Sequence, residues 1–450
     1  MSDTNVLLVV ADSLRAANTS LLGYRRETTP FLDDFAAEST VYTQARAPSN
    51  WTVPSHVSLF TGHHAAAHEF EITERLQTGH TIWEELAEHG YDTGLFSDNP
   101  FLTGHESGLD RPFETVRATP ESWDDTYDTG GELGDWPNGF YYADRLLEWT
   151  DDRDSPWAAC LNLMDTHRPY EPRAAYDTWS DDSVRAIQEE MGYKWHWEFF
   201  AGTLSLGFAS LLESIYDGAI RQADAIFERL VATLDERGTL DDTLVVFTAD
   251  HGEGLGEPTA LDAEPPAVSH RLGTHDTLFH VPLVVRAPGQ RAGRTVDSLA
   301  TLTAFPEAVR ALALGERPVD GGAFVAPDGR AVASQRPITA GMRREAERIC
   351  GSAEPYAKRT DVVYEDRPGD RVHKRARWGP DAYETVRRGR TEATDRGAVT
   401  VDSVLAARDA VTGESVSLGD PLADVTEFTD ASDPEFADGL EDRLDALGYR

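Results

Sequence analysis

An α/β fold is expected, with a large, mostly parallel sheet between helices over residues 1–320 and a smaller C-terminal α+β subdomain over 321–450. Three features predict it. Short apolar runs alternate with helical stretches through the first three quarters of the chain; several of those runs stop at metal-ligand or hydroxyl residues; and the texture changes after about residue 320. Alternation of this kind implies parallel strands covered by helices on both faces. In such sheets ligands bind beyond the carboxyl ends of the strands, so polar residues placed there repeatedly point to one shared site.

Taken in order, the strand candidates are 5–11, 92–97, 157–164, 243–249 and 281–286, each a run of mainly apolar residues. Helix candidates are 28–38, 81–89, 139–150, 214–237 and 302–314, several with apolar residues at three and four spacing. The stretch WEFFAGTLSLGFASLL near 197–212 is shorter than a bilayer span and carries Glu198, Thr203 and Ser205, which argues for a buried or lid-like helix. Beyond 320, GGAFVAPDGRAV is turn-rich, TDVVYEDRPGDRVHKRARWGPDAYETVRRGR reads as antiparallel strands joined by Pro/Gly turns, and EFADGLEDRLDALGYR as a closing amphipathic helix.

Composition narrows the partners. With 41 basic against 79 acidic residues the formal net charge is −38, which repels nucleic acid phosphates and anionic membrane surfaces. A small-molecule substrate is expected instead. Only Lys194, Lys358 and Lys374 are lysines, and the acidic residues are spread evenly, as on a folded, salt-adapted surface. The start, MSDTN, has neither a basic n-region nor an apolar h-region, so a cytoplasmic protein is expected. Two cysteines, Cys160 and Cys350, support neither a disulfide framework nor a Cys-based zinc site. Oligomeric state does not follow from these residues.

Four segments carry chemistry. NVLLVVADSLRA stops at Asp12, DTLVVFTADHGEGLGE ends on Asp250 and His251, AACLNLMDTHRPYEP delivers Asp165 and His167, and in APSNWTVPSHVSLFTG Thr52 has the form of a helix N-cap. Asp12, Asp250 and His251 offer hard oxygen ligands and one imidazole, a set suited to Mg²⁺, Ca²⁺, Mn²⁺ or Zn²⁺. Asp12 alone is as well explained by a helix cap. A Thr52 hydroxyl touching such a cation at a helix N-terminus would have its alkoxide stabilised by metal, dipole and unpaired amide N–H groups. Pro54 suits the first turn of that helix, and Val57, Leu59 and Phe60 its buried face.

These segments, with GYRRETTPFLDDFAAEST, YDGAIRQADAIFERLVATLDERGTLDD, HDTLFHVPLVVRAPG and the closing LEDRLDALGYR, resemble the sulfatase family of the alkaline phosphatase superfamily, in order from about residue 4 to 314 and again in the last helix. The resemblance implies an alkaline-phosphatase-like sandwich and a divalent-metal-dependent hydrolase of sulfate, phosphate or phosphonate esters. It places Asp12, Asp250 and His251 on metal ligands and Thr52 on the nucleophile. His167 falls on the histidine near the leaving group, His275 on the C-terminal active-site basic residue, and Asn99 where relatives contact substrate with lysine. The departures are informative. Sulfatases proper oxidise a Cys or Ser to formylglycine, whereas oxidised Thr52 could give only a ketone, so no formylglycine is expected. His56 stands where the motif has Arg and is taken as a substrate contact, Ser13 replaces a second aspartate, and no lysine lies near any motif.

The expected chemistry is attack by metal-bound Thr52 on an ester, phosphoester before sulfate, with His167 or His275 protonating the leaving oxygen. One arrangement has a single metal. The other adds a second, held by Asp165, His167 and His275, with His270 as a further ligand. A phosphoryl-group transferase and a non-catalytic homologue are the alternative classes. The acidic surface predicts that stability in urea rises with KCl from low to molar concentration; unfolding that becomes harder as KCl is removed would refute salt adaptation.

Overall fold

The runs NVLLVVA, WAACLNL and TLVVFT lie side by side with every residue buried, which only a sheet covered on both faces allows. The structure is a computed structural model and describes residues 4–104, 106–119, 138–153, 155–191, 195–315, 322–367, 371–388, 391–397 and 399–422. Its main sheet contains β1 (Asn5–Ala11), β2 (Thr40–Arg46), β3 (Asp92–Ser97), β4 (Thr115–Arg117), β5 (Trp157–Leu163), β6 (Thr243–Thr248), β7 (Leu283–Arg286) and β8 (Arg294–Thr301). Their spatial order is β8-β2-β7-β6-β1-β5-β3-β4. β1 is central and parallel to both neighbours, with Val9 opposite Leu161 on one side and Phe247 on the other. Only β7 runs against its neighbours. The polar ends of β1, β5 and β6 are therefore carried to the same rim.

Aromatic contacts fasten the helices. Phe31 and Phe35 of the helix Pro30–Phe35 pack on Phe227 of the long helix Leu206–Glu236, with centroids 5.6 and 5.1 Å apart. Elsewhere Phe60 of the helix Thr52–Thr61 meets Trp83 of Ile82–Glu88 at 5.5 Å, and Trp83 meets Phe305 of Phe305–Leu312 at 5.8 Å. The long helix begins at Leu206 rather than at 214, because Ser205 caps it by accepting from the Gly207 N–H. The apolar stretch 197–212 is accordingly not one helix but the end of a short helix, Trp195–Phe200, a turn, and the start of the long one. No helix among the described residues is long and apolar enough to cross a membrane.

The C-terminal part is a second sheet of five antiparallel strands, Arg330–Gln335, Thr360–Arg367, Arg371–Trp378, Asp381–Arg388 and Thr391–Gly397. Val332 and Val363 pack on Val404 of the helix Val401–Thr412. Val362, Tyr364 and Tyr383 join a separate core with Leu278, Phe279 and Leu299 of the first sheet's loops and edge. An additional helix, Ala340–Cys350, was not expected. The expected boundary near 320 and the expected closing helix fall outside the described residues.

One buried carboxyl ties two helices together. Asp224 of the long helix accepts from the Phe31 and Leu32 N–H groups, at 2.8 and 2.9 Å, satisfying two donors that the start of the helix Pro30–Phe35 leaves unpaired. Burial pushes its carboxyl up to about 7. An unfolded aspartate ionises near ~3.9. Between these values the unfolded chain has lost a proton that the native state keeps, so this group's contribution to stability falls as pH rises through that window. Urea unfolding of wild type and Asp224→Asn at about pH 4.5 and 7.5 should show wild type losing more than about 1 kcal/mol relative to the variant on going to the higher pH. Identical losses would show that Asp224 does not titrate in this range.

Candidate active site

Three strand ends build a cluster. Asp12 follows β1, and its N–H extends the ladder to the Leu163 carbonyl of β5 at 2.9 Å. Asp250 and His251 follow β6. One ligand atom from each of Asp12, Asp250 and His251 lies within 4.8 Å of the others, and this trio is the potential metal-ligand group found among the described residues. Thr52 Oγ1 lies 3.5 Å from Asp12 Oδ2 and 3.4 Å from His251 Nε2. Thr52 is the first residue of its helix, with Trp51 in the capping position, so its hydroxyl faces the cluster instead of closing the helix end. Ser13 links the carboxylates: its N–H donates to Asp250 Oδ1 at 3.2 Å and its hydroxyl to Asp12 Oδ1 at 3.2 Å. This requires Ser13 to adopt φ of 64°, a left-handed conformation uncommon for a residue with a Cβ.

Burial dominates the electrostatics of the cluster. Burial raises the Asp12 carboxyl, and the neighbouring Asp250 raises it further. Burial likewise lifts Asp250 to about 6 against hydrogen bonds from the Ser13 and His251 N–H groups. Burial lowers His251 and His56, while Asp12 pulls both the other way. Asp250 Oδ2 is buried without a hydrogen bond, with His251 Nε2 at 3.4 Å. Two carboxyl groups, one imidazole and one hydroxyl, all fully buried, suit a divalent cation in place of the protons that burial otherwise imposes.

The Sulfatase family model matches residues 4–315, well over half of the chain. The chain belongs to the sulfatase family. Among curated relatives, this sulfatase-family chain is 23% identical over 348 residues to iduronate 2-sulfatase of Homo sapiens, covering 64% of this chain and 60% of that protein. It is 22% identical over 348 residues to arylsulfatase K of Bos taurus, covering 66% and 60%. The match thus spans about three fifths of these relatives' length. Similar solved structures include the phosphonate monoester hydrolase of Agrobacterium radiobacter, with TM-score 0.61, 19% identity and coverage of 86% of this chain and 89% of that one. The phosphonate monoester hydrolase of Silicibacter pomeroyi gives 0.60 and 18%, covering 91% and 93%. At these identities the structural likeness establishes the shared fold.

The remaining candidates in this sulfatase-family chain divide. His167 is buried beside the cluster: Nδ1 bonds to the Arg168 carbonyl at 2.7 Å, and Asp12 opposes the lowering that burial causes. His56, one turn after Thr52, bonds through Nδ1 to the Thr52 carbonyl at 3.0 Å, and that atom lies 3.7 Å from Asp250 Oδ2. Asn99, expected to touch substrate, is committed at both ends, donating to Asp12 Oδ2 at 3.0 Å and accepting from the Phe101 N–H at 3.0 Å, and so orients Asp12. Asp165, expected at a second metal, instead accepts from the Gly139 N–H at 3.1 Å and from Gln222 Nε2 at 2.6 Å, which makes it a tie between helices. His275 accepts from the Thr277 N–H, capping the short turn Asp276–Leu278, and its charge acts on Glu257.

The neighbours His275 was expected to have belong to His270 and Arg271. The His270 ring lies 4.4 Å from that of His251 and 5.2 Å from that of His167, and its Nδ1 is 3.5 Å from Glu253 Oε2. Burial pushes Glu253 up to about 8. Arg271, which sequence reasoning missed, stacks 4.1 Å over the Trp51 ring, and its charge acts on both His251 and His270. It lies in an irregular loop without periodicity, so nothing in the linear pattern singled it out. This loop sits tightly against the cluster: the Gly252 N–H bonds to the Leu278 carbonyl at 2.9 Å, and a Cβ at Gly252 would fall 1.8 Å from the Thr277 carbonyl oxygen.

If a cation is held here, saturating Mn²⁺ or Zn²⁺ at roughly 100-fold over its Kd should stabilise metal-free protein by about 2.7 kcal/mol, read as a rise in Tm. Asp250→Asn should lose most of that rise. An equal rise in the variant would place the metal elsewhere.

Proposed function

We propose that this chain is a divalent-metal-dependent ester hydrolase that acts on phosphate or phosphonate esters in preference to sulfate esters, with Thr52 as nucleophile. The observation that carries the reading is the Thr52 hydroxyl, buried at a helix N-terminus within 3.5 Å of both Asp12 and His251. The names of the relatives support the ester class: two sulfatases by sequence, and two phosphonate monoester hydrolases by fold. Preference for phosphorus follows from the nucleophile. A threonine cannot supply the aldehyde hydrate of formylglycine, but its alkoxide is suited to attack on a phosphoryl centre.

The residues divide the work. Asp12, Asp250 and His251 would hold the cation, with Asn99 and Ser13 fixing the two carboxylates. A bound divalent ion supplies Lewis acidity toward an ester oxygen and depresses the pKa of a neighbouring hydroxyl. Thr52 Oγ1 attacks the phosphorus in line with the leaving oxygen, and the N–H groups of its helix start receive the charged oxygens. Arg271 adds a fixed positive charge on the same side, in place of the lysines that the sequence lacks near its motifs. His167, whose Nδ1 donates to the Arg168 carbonyl, would take up the Thr52 hydroxyl proton on Nε2 and pass it to the leaving oxygen. Water then cleaves the phospho-threonine ester.

Thr52→Ala should lower turnover of aryl phosphonate monoesters and phosphodiesters by at least ~10³-fold. It should leave most of the metal-induced rise in Tm in place. Wild-type kcat/KM for these esters, measured with Mn²⁺, Mg²⁺ or Zn²⁺, should exceed that for the matching aryl sulfate by at least ~100-fold, about 2.7 kcal/mol. Full activity in Thr52→Ala, or faster sulfate turnover, would sink the proposal, and no turnover of any ester would favour the non-catalytic reading.

A further inference from the structure

A cavity of about 130 Å³ opens between the first turn of the Thr52 helix and the end of the strand Arg330–Gln335 with the start of the helix Ala340–Cys350. Trp51 and Pro54, on either side of Thr52, form one wall, and Phe70, Ile72 and Ala340 share the rest with charged and polar residues that include Glu69, Glu71 and Arg336. Arg271 also lines it. Arg271 stacks 4.1 Å over Trp51, while the preceding residue, His270, lies 4.4 Å ring to ring from His251, so one loop joins the cavity to the metal-ligand cluster.

The wall is rigid and chemically specific. Trp51 meets the Phe101 ring edge-on at 5.7 Å while Arg271 covers its face at 4.1 Å, leaving the indole no room to turn. Its Nε1–H is buried without a hydrogen-bond partner. Buried indole N–H groups ordinarily find an acceptor, so this donor points to one supplied by a ligand or a water. Space of this size matches one aromatic ring, since cavities near ~150 Å³ accept benzene. A polysaccharide would need a longer cleft, and an acyl chain a longer apolar channel.

We propose that this cavity receives the alcohol portion of the ester, and that the substrate is a monoester of a single-ring alcohol with Arg271 positioned between ring and phosphoryl group. The inference deepens the hydrolase reading and rests on it. Trp51, Phe70 and Ile72 are then specificity residues, and the C-terminal subdomain, through Ala340, shares in selecting the substrate.

Benzyl and ethyl monoesters of one phosphonic acid separate fit from reactivity, because both leave as simple alkoxides. Wild type should favour benzyl by roughly 30-fold in kcat/KM, the scale expected for burying one ring. Ala340→Phe, which fills the cavity from a half-buried helix start, should reduce that ratio to below about 3-fold through a loss of benzyl kcat/KM, and Ile72→Phe should do the same from the opposite wall. A ratio near one in wild type, or one unaltered in both variants, would overturn the proposal. If neither ester is turned over, the hydrolase reading fails and the cavity is judged by calorimetry with benzylphosphonate and ethylphosphonate. Benzyl-selective binding to Thr52→Ala that is lost in Thr52→Ala/Ala340→Phe supports the ring site, and equal binding of the two anions refutes it.

Discussion

Two carboxyl groups buried side by side, Asp12 and Asp250, set the terms for the rest of this molecule. Neither can ionise cheaply where it stands, because each is removed from water and faces the other. The fold nevertheless holds them together with a strained Ser13, an amide from Asn99 and the ends of two adjacent parallel strands. Such an arrangement is coherent when a cation completes it. It is a poor way to build a core otherwise.

The surrounding polar network extends this constraint outward. Tyr216, on the long helix, donates its hydroxyl to the Ser13 carbonyl at 2.8 Å and accepts from the Arg15 N–H at 3.0 Å, so the loop after β1 is clamped from the helical layer. Arg15 in turn pairs with Glu257 and Glu213. Positions of the Asp12 oxygens are thus determined by groups in three separate segments. Preorganisation of that kind is what electrostatic catalysis requires.

Much of this was legible in the residues, and the parts that were not have physical reasons. β1, β5 and β6 are unbroken apolar runs because both of their faces are covered, and they announce themselves. β8 lies at the sheet edge and β2 beside it; both mix buried with partly or fully exposed residues and carry Thr, Gln, Arg and Asp, so neither stands out as an apolar run. Asp12, Thr52, Asp250 and His251 were visible because each follows or opens a periodic element. Asp165 follows a strand end too, yet its oxygens bond to Gly139 and Gln222, and linear position cannot report where a side chain turns. The His270 to His275 stretch is an irregular connection whose path depends on packing against β6's end, and Arg271 was missed with it.

That packing also sets how far the connection can stand from the metal ligands. At Gly252 the carbonyl oxygen of Thr277 occupies the place a Cβ would take, which holds two chain segments at backbone contact distance immediately beside His251. Even alanine at this position would wedge the segments apart. The hydrogen atom that serves as Gly252's side chain is thus a spacer of minimal thickness: the separation of the two segments beside His251 is fixed by the absence of a methyl group.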